Sequence, residues 1–360
     1  MKKIVAIAFM LAFAAEAHAA PDQPSEMAPS TAMPNPVLLS LDDIRSVRGR
    51  AKEFNSLLNR CTKELVYSPT PVEVYAPDAH YTAAGLNPSE NDGKQLANDA
   101  QAAYREGLCY VVTGEKRFAV AAHRIIDAWA NTLKSVDTAQ GKANINFNMT
   151  YMIAAANWTY GVNEWNSAAF DRFLRTVALP NSASENPNNH GMWAMLMEAS
   201  AATHLNDPAL LAKARARWIE IMEGATAPDG TLVREIERSG TSNWRDGPDK
   251  GSKGLAYTHY FLLPASMAAK IFADQGQPVW KSEGGVLLGA AFDKAAGWTL
   301  HPETFPFYES NGGKLEGVKT AAYFPLLLRY YHNKDAEAVM QQGDVGTGGF
   351  LLPKLFSSKR

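Results

Sequence analysis

The sequence lacks the motifs that usually mark a metal, nucleotide or serine-hydrolase site. It contains no His-Glu-x-x-His and no Cys-x-x-Cys pattern, the arrangements in which zinc ligands are most easily recognised. The glycine-rich run 284–289 lacks the lysine and hydroxyl residues of a phosphate-binding loop, and no Gly-x-Ser-x-Gly elbow is present. We therefore expect no metal and no cofactor.

The chain also has almost no net charge and only one long apolar run. Its formal charge of −2 over 360 residues gives no general attraction to nucleic acid or to an anionic membrane, so any basic site has to be local. The apolar run, 4–15, is shorter than the roughly 20 residues that cross a bilayer, and it lies between Lys2-Lys3 and Ala17-His18-Ala19. This pattern predicts a signal peptide over residues 1–19, export to the periplasm or the medium, and no membrane anchor after cleavage.

Only two cysteines are present, Cys61 and Cys109. In an oxidising compartment they could form a disulfide bond, but two buried free thiols would fit the sequence equally well. Their spacing does not choose between these possibilities.

Prolines are concentrated near the N-terminus, and helical periodicity dominates the rest of the chain. Residues 20–38 are predicted to be a flexible Pro-rich segment, residues 39–344 one helical domain, and residues 345–360 a loose tail with an apolar patch. The predicted helices span 41–59, 92–113, 115–134, 148–162, 166–178, 188–205, 207–224, 253–274, 284–296 and 316–331, and strand signals are limited to 65–67, 72–74 and 231–233. This pattern favours an all-α fold of helical hairpins laid side by side, with a few short β-hairpin or loop edges.

One motif places an amide and an imidazole at the start of a predicted helix. Asn188 is a good N-cap residue, and Asn189 and His190 then fall in the first turn. Free backbone N–H groups and the positive end of the helix attract a carboxylate and disfavour a second proton on the imidazole. A neutral imidazole can act as a general base. Taken alone, the motif is also compatible with a capped helix and a purely structural histidine.

A second motif places a cation and two phenols on a later helix. Lys253, Tyr257 and Tyr260 follow one another at intervals of four and three residues, which brings them onto one helical face. Pro264 cannot donate a hydrogen bond to the carbonyl of Tyr260, so we expect the helix to bend there. A cation near the phenol would favour the phenolate form of Tyr260. The aromatic residues could equally be part of the core.

The segment before this helix is rich in arginine. Arg234, Arg238 and Arg245 could form a local basic rim for a polyanion, although charged loops are usually only solvated surface. Trp193, one turn after the imidazole, could stack on a sugar ring, or could simply be buried. With Tyr257, these residues form the predicted substrate-binding set.

Together these segments resemble the alginate lyase family. The resemblance covers about residues 185–275 and rests on Asn188-Asn189-His190-Gly191-Met192-Trp193, on Pro228-Asp229-Gly230-Thr231-Leu232 leading to Glu235, and on Gly254-Leu255-Ala256-Tyr257-Thr258-His259-Tyr260. In that family an Asn-Asn-His-x-x-Trp motif and an Arg-x-Leu-x-Tyr-x-x-Tyr-like helix line the cleft of an incomplete α/α toroid. The resemblance implies cleavage of an anionic, uronate-containing polysaccharide by β-elimination without a metal, alginate of the polymannuronate type being the first candidate.

The resemblance also implies a role for each of four residues. Asn189 would neutralise the substrate carboxylate, and His190 would assist it or take the C5 proton. Tyr260 would protonate the leaving glycosidic oxygen, and would also be the base when proton and leaving group share a face. Lys253 stands where the periplasmic mannuronate lyases carry an arginine, and this change removes a bidentate partner for a carboxylate.

Other functions remain open at this level. A related polyuronate such as glucuronan could be the substrate, and a glycoside hydrolase on the same toroid would use two carboxylates, for which Asp127 and Glu198 are available. A non-catalytic polysaccharide-binding protein is a further possibility. We expect a monomer. Every catalytic interpretation requires His190 and Tyr260, which lie far apart in sequence, to flank one uronate ring.

Overall fold

The computed structural model of the chain describes residues 36–89, 91, 93–242, 247, 249–318, 320–343, 345–346 and 348–356. The predicted signal peptide, most of the Pro-rich segment and Arg245 lie outside these residues. Within the described part of the chain, no helix is both long enough and apolar enough to cross a membrane.

Helices dominate the described residues, and most lie where the periodicity predicts them. The helices are α1 (Leu41–Gly49), α2 (Asn55–Glu64), α3 (Lys94–Thr113), α4 (Lys116–Thr132), α5 (Ala139–Trp158), α6 (Ala168–Phe173), α7 (Asn189–His204), α8 (Pro208–Ala225), α9 (Gly254–Asp274), α10 (Glu283–Leu300), α11 (Phe324–Leu327), α12 (Lys334–Gln341) and α13 (Leu352–Phe356). The prediction of an all-α fold is confirmed.

Two helix predictions need correction. The predicted helix 316–331 is mostly irregular, and only α11 is helical within it, because Gly317 has a positive φ and Pro325 can enter a helix only in its first turn. Conversely, α5 begins nine residues before the predicted start at 148, where Thr138 caps it by accepting the N–H of Gly141. Its first turns carry buried asparagines, which hide the apolar periodicity.

The strands are few and short. Strand β1 (Val74–Tyr75) pairs in parallel with β4 (Ser135–Val136), and β2 (Tyr81–Thr82) forms an antiparallel hairpin with β3 (Gly85–Leu86). Of the three predicted strands, 72–74 overlaps β1 only at its end, 231–233 contributes one bridge to Thr226, and 65–67 forms no strand. The hairpin formed by β2 and β3 is not predicted.

The helices form two layers of paired neighbours. In the inner row α3 packs on α5, α5 on α7, and α7 on α9. Outside this row α4 packs on α3 and α5, α8 on α7, and α10 on α8 and α9. The inner helices are apolar on nearly all sides, as expected of helices surrounded by protein. In α7 every residue is buried except His190, which is half-buried.

A buried ion cluster ties the N-terminal helix to the inner row. The ammonium of Lys270 on α9 lies 2.9 Å from Asp43 on α1, and Arg329 lies 2.8 Å from the other oxygen of Asp43. Burial alone would raise the pKa of Asp43, but Lys270 and Arg329 lower it to about 2. The carboxylate therefore stays ionised and holds α1 against α9.

The final segment is not loose where the structure describes it. The guanidinium of Arg50 donates to the carbonyls of Lys354 and Leu355, and the hydroxyl of Tyr104 donates to the carbonyl of Phe350. The side chains of Val345, Phe350, Leu352, Leu355 and Phe356 are all buried in the main core. The apolar patch of the predicted tail is therefore part of the domain.

A disulfide bond joins α2 to α3 through Cys61 and Cys109. The sequence leaves this pairing open, and the structure settles it in favour of the bond. A cross-link between positions 48 residues apart restricts the unfolded chain more than the folded one and so stabilises the fold.

One buried carboxyl group has no hydrogen-bond donor to stabilise its charge. Glu106 on α3 is fully buried, and neither of its oxygens makes a hydrogen bond. Burial, reinforced by the nearby charge of Glu64, raises the pKa of Glu106 to about 8. In the folded protein Glu106 therefore holds a proton that the unfolded chain releases near its ordinary pKa of 4.5.

This difference makes the free energy of unfolding fall as the pH rises from about 4.5 to about 8. We predict that Glu106→Gln, which cannot ionise, removes this loss. Its melting temperature should equal that of the wild type near pH 4.5 and exceed it by at least about 3 °C at pH 8. Thermal unfolding at both pH values checks this, with the exposed Glu223→Gln as control. A difference that does not grow with pH would contradict the prediction.

Candidate active site

The start of α7 holds the predicted imidazole in place. The side chain of Asn188 caps the helix by accepting the N–H of His190 at 3.0 Å. The next residue has to be glycine, because the helix passes so close to the preceding loop that a Cβ on Gly191 would collide with the carbonyl of Asn186. His190 is thereby fixed in the first turn, and its side chain lines a cavity.

The start of α9 holds the phenols. The helix begins at Gly254, where a Cβ would collide with the carbonyl of Ile236. Tyr257 and Tyr260 lie one turn apart, with ring centroids 6.3 Å apart, and Pro264 lies inside the helix as predicted. Lys253 is the residue before the helix, so its side chain is not directed by the helical repeat.

One cavity of about 630 Å³ brings the two motifs together. Six residues of the predicted site line it: Asn189, His190, Arg238, Lys253, Tyr257 and Tyr260. Two do not: Trp193 is buried and does not line the cavity, and Arg234 is exposed outside it. The ninth, Arg245, lies outside the described residues. Within those residues, no group of three or more His, Cys, Asp or Glu side chains could hold a metal ion.

Phe147 on α5 contacts both the imidazole and the phenol. Its ring centroid is 5.3 Å from that of His190 and 5.5 Å from that of Tyr260, which places these two rings no more than about 11 Å apart. Trp193 packs against Tyr260 at 5.0 Å and against Phe147 at 5.8 Å. Trp193 therefore packs against the rings of Tyr260 and Phe147 and is not placed for the predicted stacking on a sugar.

His190 is a neutral imidazole in this environment. Burial and, as a smaller contribution, the positive charge of Arg238 together lower the pKa of His190 to about 4. Near pH 7 the ring therefore carries no net charge and keeps a lone pair that can accept a proton.

Tyr260 is a protonated phenol. Burial raises its pKa well above the ordinary value of 10, and Tyr151, Tyr257 and Tyr81 add to this effect. The expectation that Lys253 lowers the pKa of Tyr260 is therefore wrong for this state of the protein, because the lysine has other partners and burial dominates. The phenol keeps a proton that it can donate.

Arg238 is a cation that contacts the second motif and acts electrostatically on the first. Its guanidinium carbon lies 4.4 Å from the ring centroid of Tyr257, and the two side chains also share a hydrogen bond. Burial raises the pKa of Tyr257 to about 12 despite the opposing charge of Arg238, and a hydrogen bond with Tyr81 adds to the rise. Arg238 thus holds a positive charge against Tyr257 and within electrostatic reach of His190.

Lys253 lies at the edge of the cavity. Its ammonium is 3.1 Å from a carboxylate oxygen of Glu316 and 3.3 Å from the hydroxyl of Tyr81. Partial burial lowers the pKa of Lys253, but the hydrogen bonds to Glu316 and Tyr81 outweigh this and leave it raised. The lysine is therefore charged and already paired with a carboxylate.

Four residues that contact the predicted site residues were not themselves predicted to belong to the site. Tyr81 belongs to the unpredicted β2–β3 hairpin, Phe147 to the unpredicted first half of α5, and Glu316 to the segment wrongly predicted as helix. Glu235 appears in the sequence only as the end of a motif. It is fully buried and holds Asn189 from behind the cavity.

Comparison with known proteins identifies the same architecture. The profile of one family, described as alginate lyase, matches residues 51–305, whereas no relative was found among curated proteins. Among the similar solved structures is an alginate lyase from Bacteroides ovatus, with 16% identity and a TM-score of 0.69, where the match covers 91% of this chain and 100% of that chain. Another is alginate lyase A1-III from Sphingomonas species A1, with 16% identity and a TM-score of 0.60, where the match covers 90% of this chain and 96% of that chain. A histidine-to-alanine variant of alginate lyase A1-III complexed with a tetrasaccharide matches at 14% identity over 88% and 95% of the chains, with a TM-score of 0.67. The predicted fold, an α/α toroid that does not close into a barrel, is confirmed.

The charge of Arg238 should be measurable at His190. We predict that His190 titrates near pH 4 in the wild type and that Arg238→Gln raises this pKa, which still remains below 6.5 because burial persists. Titration of the imidazole nitrogens by NMR checks both statements. Arg215→Gln, whose guanidinium donates to the backbone away from the cavity, should leave the value unchanged. An unshifted pKa in Arg238→Gln would place the guanidinium too far from His190 to act on it.

Proposed function

Because the chain belongs to the alginate lyase family of polysaccharide lyases, we propose that it is an exported enzyme that cleaves mannuronate-rich alginate by β-elimination. The products would carry a 4,5-unsaturated uronate at the new end. One observation carries the proposal: a neutral imidazole and a protonated phenol line one cavity, and both contact the ring of Phe147. The likeness to a lyase variant crystallised with a tetrasaccharide supports an oligosaccharide in this cavity.

The reaction first needs a more acidic C5 hydrogen. The carboxylate next to C5 has to be neutralised so that the developing negative charge can spread into it. We assign this task to Arg238 and Asn189, which line the same cavity as His190, together with the positive end of α7. Arg238 thereby takes the role that the sequence assigned to Lys253.

The second requirement is a proton for the leaving oxygen. Tyr260 starts protonated, so its hydroxyl can donate to the glycosidic oxygen as the bond from C4 to that oxygen breaks. The electrons of the C5–H bond form the C4=C5 double bond. No charge is left on the leaving sugar, because the oxygen departs as a hydroxyl group.

The base depends on the stereochemistry of the sugar. In a mannuronate residue the C5 hydrogen and the C4 oxygen lie on one face, so the oxygen of Tyr260 can receive the C5 proton while it gives its own proton to the leaving oxygen. His190 then helps to hold the carboxylate. In a guluronate residue the two groups lie on opposite faces, and neutral His190 would take the C5 proton.

The hydrolase alternative loses its candidate carboxylates. Asp127 accepts the indole N–H of Trp165, and Glu198 accepts the hydroxyl of Ser182. Neither residue lines the cavity. These two groups therefore have structural partners and are not placed to flank a glycosidic bond.

We predict that Tyr260→Phe and His190→Ala each lower the turnover of polymannuronate by at least about a hundredfold, the usual scale for a positioned acid or base. The rise in ultraviolet absorbance of the unsaturated product measures turnover. Parallel assays on polyguluronate and glucuronan identify the preferred polymer.

Tyr331→Phe is the matched control. Its hydroxyl donates to the carbonyl of Gly285, and the residue does not line the cavity, so turnover should stay within about twofold of the wild type. Wild-type protein that degrades no polyuronate, or that releases products without the new absorbance, would contradict the proposed function. Equal activity in the wild type and Tyr260→Phe would remove the phenol from the mechanism.

Lys253 should bind a carboxylate of the polymer at the cavity edge, where Glu316 now competes for it. We predict that Glu316→Gln lowers KM for polymannuronate about two- to fivefold, the scale of an exposed ion pair, and leaves kcat unchanged. Lys253→Met should raise KM. Steady-state kinetics checks both, with Glu309→Gln, an exposed glutamate that does not line the cavity, as control. If Glu316→Gln raises KM, the carboxylate helps the substrate and does not compete with it.

A further inference from the structure

Glu235 is a carboxyl group fully buried next to the cavity without lining it. It follows the turn in which Thr226 pairs with Leu232, and its own N–H donates to the carbonyl of Leu232. Its side chain has no exposed surface. A buried carboxylate is costly unless it is well hydrogen-bonded, so its partners indicate why it is there.

Both oxygens of Glu235 accept hydrogen bonds from one residue. The main-chain N–H of Asn189 lies 2.7 Å from Oε1, and the side-chain Nδ2 of Asn189 lies 2.9 Å from Oε2. The first bond fixes the first residue of α7, directly before His190. The second fixes the side-chain amide that we assign to the substrate carboxylate.

The second bond also decides which end of the amide points where. Burial raises the pKa of Glu235 to about 7, although the hydrogen bonds from Asn189 and the charge of Arg238 oppose the rise. The ionised form of this carboxyl group can only accept, and Asn189 accordingly turns its nitrogen toward Glu235. Its Oδ1 is then left buried without a hydrogen-bond partner, an arrangement that the amide would not adopt unless Glu235 imposed it. One N–H of Nδ2 is used by Glu235, and the second N–H remains for another acceptor.

We propose that Glu235 is a positioning residue of the active site, which sets the orientation of the Asn189 amide so that its second N–H is available to a uronate carboxylate. This inference rests on the proposed function, since it concerns how Asn189 meets the substrate. Glu235 acts through Asn189 and does not touch the sugar itself.

Replacing Glu235 by glutamine separates orientation from packing. Glutamine has the same shape, but only one end of its amide accepts a hydrogen bond. Its oxygen has to pair with the main-chain N–H of Asn189, which cannot turn. Its NH2 group then faces the side chain of Asn189, which must invert and present Oδ1. Glu235→Gln should therefore keep the start of α7 and reverse the amide.

The kinetic order of two variants tests the proposal. Glu235→Asp keeps both acceptor oxygens on a shorter side chain, so kcat should fall about three- to thirtyfold. Glu235→Gln keeps the shape but inverts the amide, so kcat should fall by more than about thirtyfold, with KM within about threefold of the wild type. A role in packing alone predicts the reverse order, because glutamine is the closer match in shape.

Glu198→Gln is the matched control. Glu198 is a buried glutamate on α7 that is bonded to Ser182 and does not line the cavity. Its replacement should lower the melting temperature about as much as Glu235→Gln does and leave kcat within about twofold of the wild type. Equal losses of kcat in Glu198→Gln and Glu235→Gln would overturn the proposal. A kcat within threefold of the wild type in Glu235→Gln or in Glu235→Asp would also overturn it. If Glu235→Gln does not fold, the kcat of Glu235→Asp tests the proposal alone, and a value within threefold of the wild type overturns it.

A structural measurement separates this inference from the proposed function. Neutron diffraction of Glu235→Gln crystals distinguishes the two ends of an amide by their deuterium atoms, and we expect the oxygen of Asn189 to face the substituted side chain. An amide that keeps the wild-type orientation overturns the inference whatever the activity. A wild-type protein without lyase activity contradicts the proposed function, and the orientation result still decides the role of Glu235.

Discussion

The site depends on the packing of α7 against α9. These are neighbouring helices of the inner row, buried on almost all sides, and their mutual contact places the first turn of one beside the first two turns of the other. His190 and Tyr260 are fixed because the backbones that carry them cannot move independently. Glycines at 191 and 254, where no side chain would fit, mark how closely these two starts are pressed against the surrounding loops.

Burial then sets the chemistry. The same low-dielectric surroundings lower the pKa of His190 and raise that of Tyr260, because each change favours the uncharged form. The two groups that would exchange protons with the substrate are thus both neutral before it binds. Fixed positive charge comes from Arg238 and Lys253 at the cavity lining. The elimination that we propose would use both kinds of group, the fixed cations for the uronate carboxylate and the uncharged groups for proton transfer.

Sequence patterns predicted the elements whose signals are local. Asn188 is recognisable as an N-cap because capping requires a short polar side chain before the first turn, and α9 is recognisable despite Pro264 because its periodicity continues on both sides. The β2–β3 hairpin was missed because each of its strands spans only two residues. The first half of α5 was missed because polar residues occupy buried positions in it. Glu235 could not be recognised from the sequence, since no local pattern marks a carboxylate that accepts a hydrogen bond from the start of a helix 46 residues away.

The proposed exchange of roles between Lys253 and Arg238 shows where predictions from residue spacing end. A seven-residue interval places two side chains on one face only if both residues lie inside the helix, and Lys253 is the residue before α9. Its ammonium turns to Glu316 and Tyr81. Arg238, from the preceding loop, instead places its guanidinium against Tyr257 and within the electrostatic reach of His190. Elimination requires a positive charge at a point in space near the substrate carboxylate, and any backbone position from which a cation can reach that point satisfies it. The cation is therefore the part of the mechanism whose position in the sequence is least constrained, and the imidazole and phenol, which need angular precision, are held by helices.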